Sequence, residues 1–369
     1  MKILIVNPII YTSETRDIKK VNTIKDTMIY DLSLGFMQKG IDVTLIACSD
    51  YKPLQKESYP FNVVWLDAKI KKLFPSNTIP YCPDIKRYIK NNKFDLIITS
   101  EVFSLNSLML SVRSKKNLIV WHELGKHNKL MHQLPSKIWY NIIARLFFRN
   151  TKIVARSVQA RAFISQFCNN VSDTVIDHGV NLEKFKYETE KENYFAVSSQ
   201  LIKRKRIDKI IKVFSEYVKE EDSTCKLYIM GEGEEKENLK ALAKKLNADE
   251  NIIFTGKLNH SDLIEILKKS KAMLVYTEKD NNMVSIVESI ALATPIITTS
   301  VPYNSSYIKA NELGIVKDDW NEDDLNKIAC DNKYINNCMN YRKYLPTEYK
   351  AEQFISIYNG DIIWNQFVT

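Results

Sequence analysis

Short, nearly continuous runs of Val, Ile and Leu recur along the first half of the chain, at 2–6, 42–47, 63–65, 96–99, 118–121 and 152–155. Stretches with helical spacing separate them, among them 25–39, 82–91 and 136–149. A strand that is apolar on both faces must be covered on both sides, which is the condition of a parallel sheet layered between helices. The first half therefore reads as one doubly wound α/β domain. A second series follows, with strands at 194–198, 225–230, 252–255, 272–275 and 295–298, and helices at 207–220, 234–246, 261–269 and 283–292. This is a second doubly wound domain. The charged segment 184–193, nearly free of apolar side chains, reads as the linker. The expected domains are 1–185, 186–345 and a tail, 346–369, whose stretch 349–364 is helical and packs back on the first domain. No repeat of solenoid or propeller size recurs.

Two tandem sheets of this kind are expected to face each other across a cleft, with ligands bound outside the carboxyl ends of the strands. Function should then sit on the loops after strands. The length, 369 residues with 45% hydrophobic content, supports two real cores. The opening MKILIVNP enters a strand directly, without the pattern of a secretory signal. The longest apolar stretches are interrupted by charge or amide well short of the roughly 20 residues a spanning helix needs. The expectation is a soluble or peripheral protein of the cytoplasm. Six scattered cysteines without a CxxC pair read as reduced thiols rather than a metal site.

Charge is distributed unevenly. Residues 1–185 hold 27 Lys and Arg against 15 Asp and Glu, whereas the remainder holds 26 against 29. The excess in the first half fits contact with phospholipid head groups or a lipid diphosphate, and a lysine-rich solvated surface would look the same. No aromatic-interleaved motif accompanies it, so nucleic acid is not an expected partner. The first strand runs into Val6-Asn7-Pro8-Ile9-Ile10 without a glycine, which argues against a dinucleotide oxidoreductase. Gly231-Glu232-Gly233 follows a strand, and by itself is only a tight turn.

Five landmarks in order change the picture: Ile176-Asp177-His178-Gly179-Val180-Asn181 with Phe185, Ser199–Arg206, Leu227–Gly233, Ile252–Lys257, and Asp280 through Glu288 with Ala291 and Pro295. Over most of residues 1–300 the chain resembles the retaining glycosyltransferase family 4, which has the GT-B fold of two Rossmann-like domains. The resemblance implies transfer of a hexose or N-acetylhexosamine from a nucleotide diphosphate sugar, a UDP-sugar first, to a glycan or lipid-linked acceptor in bacterial surface polysaccharide synthesis. A sugar-nucleotide epimerase on the same fold and a non-catalytic partner subunit remain alternatives.

The resemblance also implies roles. Lys205 would be the cation on the donor diphosphate, where positive charge and oriented N–H groups favour the leaving group. Gln200 stands where the family usually has a second cation, and Lys203, Arg204 and Arg206 are nearby replacements. Asp280 would hold hydroxyls of the transferred sugar, with Glu278 as its rival, and Glu288 the ribose hydroxyls. Asn281, Asn282, Met283 and Val284 lie between them at a helix start, where backbone N–H groups suit phosphate. Gly231, Gly233 and Lys257 complete the donor-binding set, and His122, ending a strand, would contact a sugar hydroxyl or the leaving phosphate.

His127 and His132 read as surface residues. Thr12 and Ser13 are the polar groups of a first loop lacking the family's glycine pair. No paired aspartates follow a strand, in agreement with the metal-independent chemistry that the resemblance implies, under which no cofactor is expected. The stretch 136–149 (SKIWYNIIARLFFR) would suit an interfacial helix, but a buried helix feeding the strand at 152 is the favoured reading.

Overall fold

The structure, a computed structural model, describes residues 1–11, 18, 20–114, 116–128 and 130–361. They form two compact units. The first comprises Met1–Gly179 and the tail from Thr347; the second is Val180–Pro346.

The first unit is built on six strands: β1 (Lys2–Val6), β2 (Asp42–Cys48), β3 (Asn62–Leu66), β4 (Leu96–Ser100), β5 (Leu118–His122) and β6 (Lys152–Ala155). They pair in parallel in the order β3-β2-β1-β4-β5-β6. Ile3, Leu4, Ile5 and Val6 are all buried, as a central strand covered on both faces requires. The second unit repeats the plan with β7 (Tyr194–Ser198), β8 (Lys226–Met230), β9 (Ile252–Gly256), β10 (Met273–Leu274), β11 (Ile296–Thr298) and β12 (Gly314–Val316), in the order β12-β11-β10-β7-β8-β9. Each is the doubly wound arrangement whose strand order reverses at a central pair, β1/β4 or β7/β10. The helix Ile207–Glu220 shows why the layers form: Ile207, Ile210, Ile211, Phe214, Tyr217 and Val218 face the sheet, at helical spacing.

The units divide after Gly179 rather than after Phe185. The charged segment 184–193 is not a free linker, because it is anchored in the second unit. Phe185 is buried edge-on against His260, and its carbonyl accepts from Arg342. Lys191 donates to the Lys268 carbonyl at 2.6 Å and to Thr294 Oγ1 at 3.0 Å. The stretch 136–149 also departs from expectation. It runs as a short α-helix Leu134–Ile138, a π-helical segment Trp139–Ala144 and a last α-turn Arg145–Phe147, and only one face of it is buried. No helix among the described residues is long and apolar enough to cross a membrane.

The tail helix Thr347–Asn359 belongs to the first unit and lies on the helix Met28–Gln38. Gly35 permits the approach: a Cβ there would lie 2.5 Å from the Thr347 carbonyl. Phe354 packs on Phe36 and Trp121, and the buried Lys350 ammonium hydrogen-bonds Asp177. Next to this pair sits His178. Burial, with Arg156 and Lys350 nearby, pushes its imidazole down to about 3. The unfolded chain therefore binds a proton where the folded chain does not, so stability is full above about pH 6.5 and declines as the pH falls toward the folded value. Acidification from about pH 6.5 to about pH 5 should cost about 2 kcal/mol. Urea titrations should show this slope for the wild-type chain and a flatter one for His178→Gln; equal slopes would contradict the assignment.

Candidate functional site

Parallel pairing puts the carboxyl ends of all strands of a sheet on one edge, and β7 and β10 are neighbours there, Ala196 opposite Met273. The loops that follow these two strands therefore meet. The loop after β7 is stitched to the loop after β8: Ser199 N–H donates to the Met230 carbonyl, Leu201 N–H to Glu232, and Glu235 N–H to Leu201. Glycine is needed at this seam. A Cβ on Gly231, at φ +149°, would lie 1.8 Å from the Ser199 carbonyl oxygen, and one on Gly233 would lie 2.2 Å from that of Leu201. The two glycines thus hold the β7 loop in place.

That loop ends in the 3-10 turn Lys203–Lys205. Lys205 is 9% exposed, and its ammonium lies 2.8 Å from Asp280 Oδ2. The Asp280 carboxylate also accepts from Thr277 Oγ1 at 2.6 Å and from Arg204 Nη1 at 3.2 Å, while Arg204 donates to the Lys279 carbonyl. Two cations and a hydroxyl thus fix one carboxylate. Gln200 is exposed, and Arg204 brings a second positive charge to Asp280. Arg206 takes a left-handed backbone at φ +46°, which costs a non-glycine residue about 1–2 kcal/mol. Its guanidinium pairs with Asp208 at 3.0 Å and with Glu278 at 2.9 Å. Glu278 and Asp280 are therefore separated by their partners: Glu278 turns to Arg206, Asp280 to Lys205. A cavity of about 420 Å³ lies on the Arg206 side, lined by Lys203, Arg206, Asp208, Glu235 and Glu278 among others, without Lys205 or Asp280.

The loop after β10 is held from below. Met283 N–H donates to Asn304 Oδ1 at 2.6 Å, buried Asn304 in turn donates to the Tyr307 hydroxyl, and the Asn281 carbonyl accepts from Tyr303 N–H. This seats Asn281 and Asn282 ahead of the helix Val284–Ala291. The first N–H groups of such a helix have no intrahelical partner and carry the positive end of its dipole. On the same helix, Glu288 Oε1 lies 3.0 Å from His260 Nε2. Lys257 is exposed just past β9.

His122 belongs to the other unit. It closes β5 with its side chain fully buried, stacked on Phe163 and edge-on to Tyr140. Its Nδ1 is 3.0 Å from Glu101 Oε2, and Glu101 Oε1 accepts from Glu123 N–H at 2.8 Å. Burial pushes the Glu101 carboxyl up, but His122, Arg156 and that N–H outweigh it and leave it below the usual range. Glu101 sits at φ +67°, a backbone few non-glycine residues adopt. His127 is not the surface residue expected: it packs on Phe163 and Tyr140, with Nδ1 3.2 Å from Ser136 Oγ. Thr12 and Ser13 lie outside the described residues.

Sequence reasoning missed Thr277, His260, Asn304 and Glu101. Only Glu101 carried a signal, as a carboxylate at the carboxyl end of a strand; the others act through contacts across more than one loop.

Two family models match consecutive parts of the chain, Glycosyltransferase Family 4 over residues 26–184 and Glycosyl transferases group 1 over 180–330. The chain belongs to the GT-B glycosyltransferases of the family 4 type. Among curated proteins it is similar to the alpha-monoglucosyldiacylglycerol synthase of Streptococcus pneumoniae, 25% identical over 61% of this chain and 56% of that protein. It is also similar to the N-acetyl-alpha-D-glucosaminyl L-malate synthase of Bacillus anthracis, 30% identical over 34% of this chain and 32% of that protein. The chain thus spans little more than half the length of the first relative and about a third of the second. Among solved structures, sucrose-phosphate synthase from Thermosynechococcus elongatus superposes with a TM-score of 0.68 at 16% identity, over 97% of this chain and 98% of that one. A glycosyltransferase from Rickettsia africae gives 0.67 at 14%, over 97% and 98%.

Because the Gly231 position abuts backbone rather than a flexible side chain, Gly231→Ala should destabilise the chain by about 1–3 kcal/mol. Urea unfolding would register this, and a change under about 0.5 kcal/mol would mean that the seam yields freely.

Proposed function

We propose that the chain is a retaining glycosyltransferase that moves a hexose or N-acetylhexosamine from a nucleotide diphosphate sugar, a UDP-sugar first, onto a glycan or lipid-linked acceptor of the bacterial surface. The observation that carries this reading is the meeting of Lys205, Arg204 and Asp280 from the two loops that parallel pairing makes neighbours. Cleavage of the donor's glycosidic bond leaves negative charge on the diphosphate. The Lys205 ammonium and the N–H groups opening the helix Val284–Ala291 act on that charge most strongly in the transition state. Side-chain cations fill the role that a metal ion plays elsewhere.

Asp280, oriented by Lys205 and Thr277, holds hydroxyls of the transferred sugar. Glu288, braced by His260, takes the ribose hydroxyls. The acceptor hydroxyl attacks from the face the diphosphate leaves, and the departing phosphate oxygen takes its proton. The names of both relatives denote alpha-linked products, which supports retention from alpha-linked donors. The enzyme works in the cytoplasm and meets its acceptor at the inner face of the cell membrane.

A thermal-shift panel of nucleotide sugars tests this, because a true donor stabilises the folded state by mass action. One UDP-sugar should raise the melting temperature and be hydrolysed or transferred. Lys205→Ala should then lower kcat by about 10²–10³, whereas Asp280→Asn should lower kcat and keep the shift with UDP alone. A panel in which every nucleotide sugar fails, or a Lys205→Ala variant of unchanged rate, would contradict the reading.

A further inference from the structure

The segment Leu134–Phe148 repeats with a period of four on two opposite faces. Ser136, Tyr140, Ala144 and Phe148 are buried and fasten it to the first unit. Offset by two residues, Leu134, Ile138, Ile142 and Leu146 are 59%, 50%, 51% and 70% exposed. An ordinary amphipathic helix turns polar residues outward; this one buries Ser136, Tyr140, Ala144 and Phe148 and turns a row of aliphatic side chains outward. Its geometry keeps the outer four in line. Four residues of α-helix overshoot a full turn by about 40°. The π-helical turn Trp139–Ala144, with its wider i→i+5 pattern, turns less per residue and takes that drift back. The result is a straight aliphatic ridge along the surface.

The surroundings of the ridge say what covers it. Residues 124–172 contain eight Lys and Arg and no Asp or Glu, and Lys126, Lys137, Arg145 and Arg149 are exposed. Arg156 and Arg161 pair with Glu123 and Asp173, whereas the exposed Lys126, Lys137, Arg145 and Arg149 flank the aliphatic ridge with positive charge, which is complementary to an anionic lipid surface, where apolar side chains enter the acyl boundary and cations remain among the head groups. A second copy of the chain would bring the same positive charge against itself.

We infer that the Leu134–Phe147 ridge seats the protein on an anionic lipid bilayer. This names the membrane partner in the proposed function, but it stands on geometry and charge alone, and its test needs neither donor nor acceptor. The full chain should co-sediment with phosphatidylcholine vesicles containing phosphatidylglycerol, only weakly with phosphatidylcholine alone, and less as salt rises. Ile138→Ser/Ile142→Ser/Leu146→Ser should weaken vesicle binding by about tenfold or more with the melting temperature kept. Lys137→Glu/Arg149→Glu should abolish the preference for anionic lipid, and it decides the matter should the triple variant fail to fold. Unchanged binding by either variant overturns the inference. So does sedimentation showing that the wild-type chain is a dimer that the serine variant dissociates, without vesicle binding by either.

Discussion

The pairing of β7 with β10 is the constraint on which the candidate site depends. In a doubly wound sheet the strand order reverses once, and the two strands at that reversal send their following connections to opposite sides, leaving a crevice at their carboxyl ends. Lys205 follows the first of these strands by seven positions and Asp280 follows the second by six. Residues 75 apart in sequence thereby share an ion pair. The glycines at 231 and 233 serve the same end, because they allow the neighbouring loop to hold the Lys205 loop from the side.

Charge is arranged in the same region so that few groups are left to move. Asp280 is bound by Lys205, Arg204 and Thr277, Glu278 by Arg206, and Glu288 lies against His260. A site held in this way presents its dipoles before a ligand arrives, which is the condition under which electrostatic stabilisation costs little reorganisation at the moment of reaction. The strain of Arg206 in the left-handed region is offset by the two carboxylates that its guanidinium joins.

Much of this was legible in the chain itself, and the exceptions have physical reasons. Eleven of the twelve strands announce themselves as apolar runs, because central parallel strands must be apolar on both faces. The twelfth, Gly314–Val316, has three half-buried residues and begins with a glycine that lets it approach β11, so its composition carries no signal. The segment 184–193 misled because its lysines looked solvated, while Lys191 in fact satisfies three backbone or hydroxyl acceptors inside the second unit. Spacing alone could not choose between Glu278 and Asp280; in the structure Glu278 pairs with Arg206 and Asp280 with Lys205. The stretch 136–149 read as a buried helix feeding the strand at 152, and a period of four carried through a π-helical turn exposes one face of it instead.

The most direct test of the central claim is a crystal structure of the chain with UDP. The account predicts the β-phosphate within hydrogen-bonding reach of Lys205 Nζ and of the N–H groups that open the helix Val284–Ala291, with the ribose at Glu288. UDP lodged instead in the cavity beside Arg206 and Glu278, out of reach of Lys205, would contradict it.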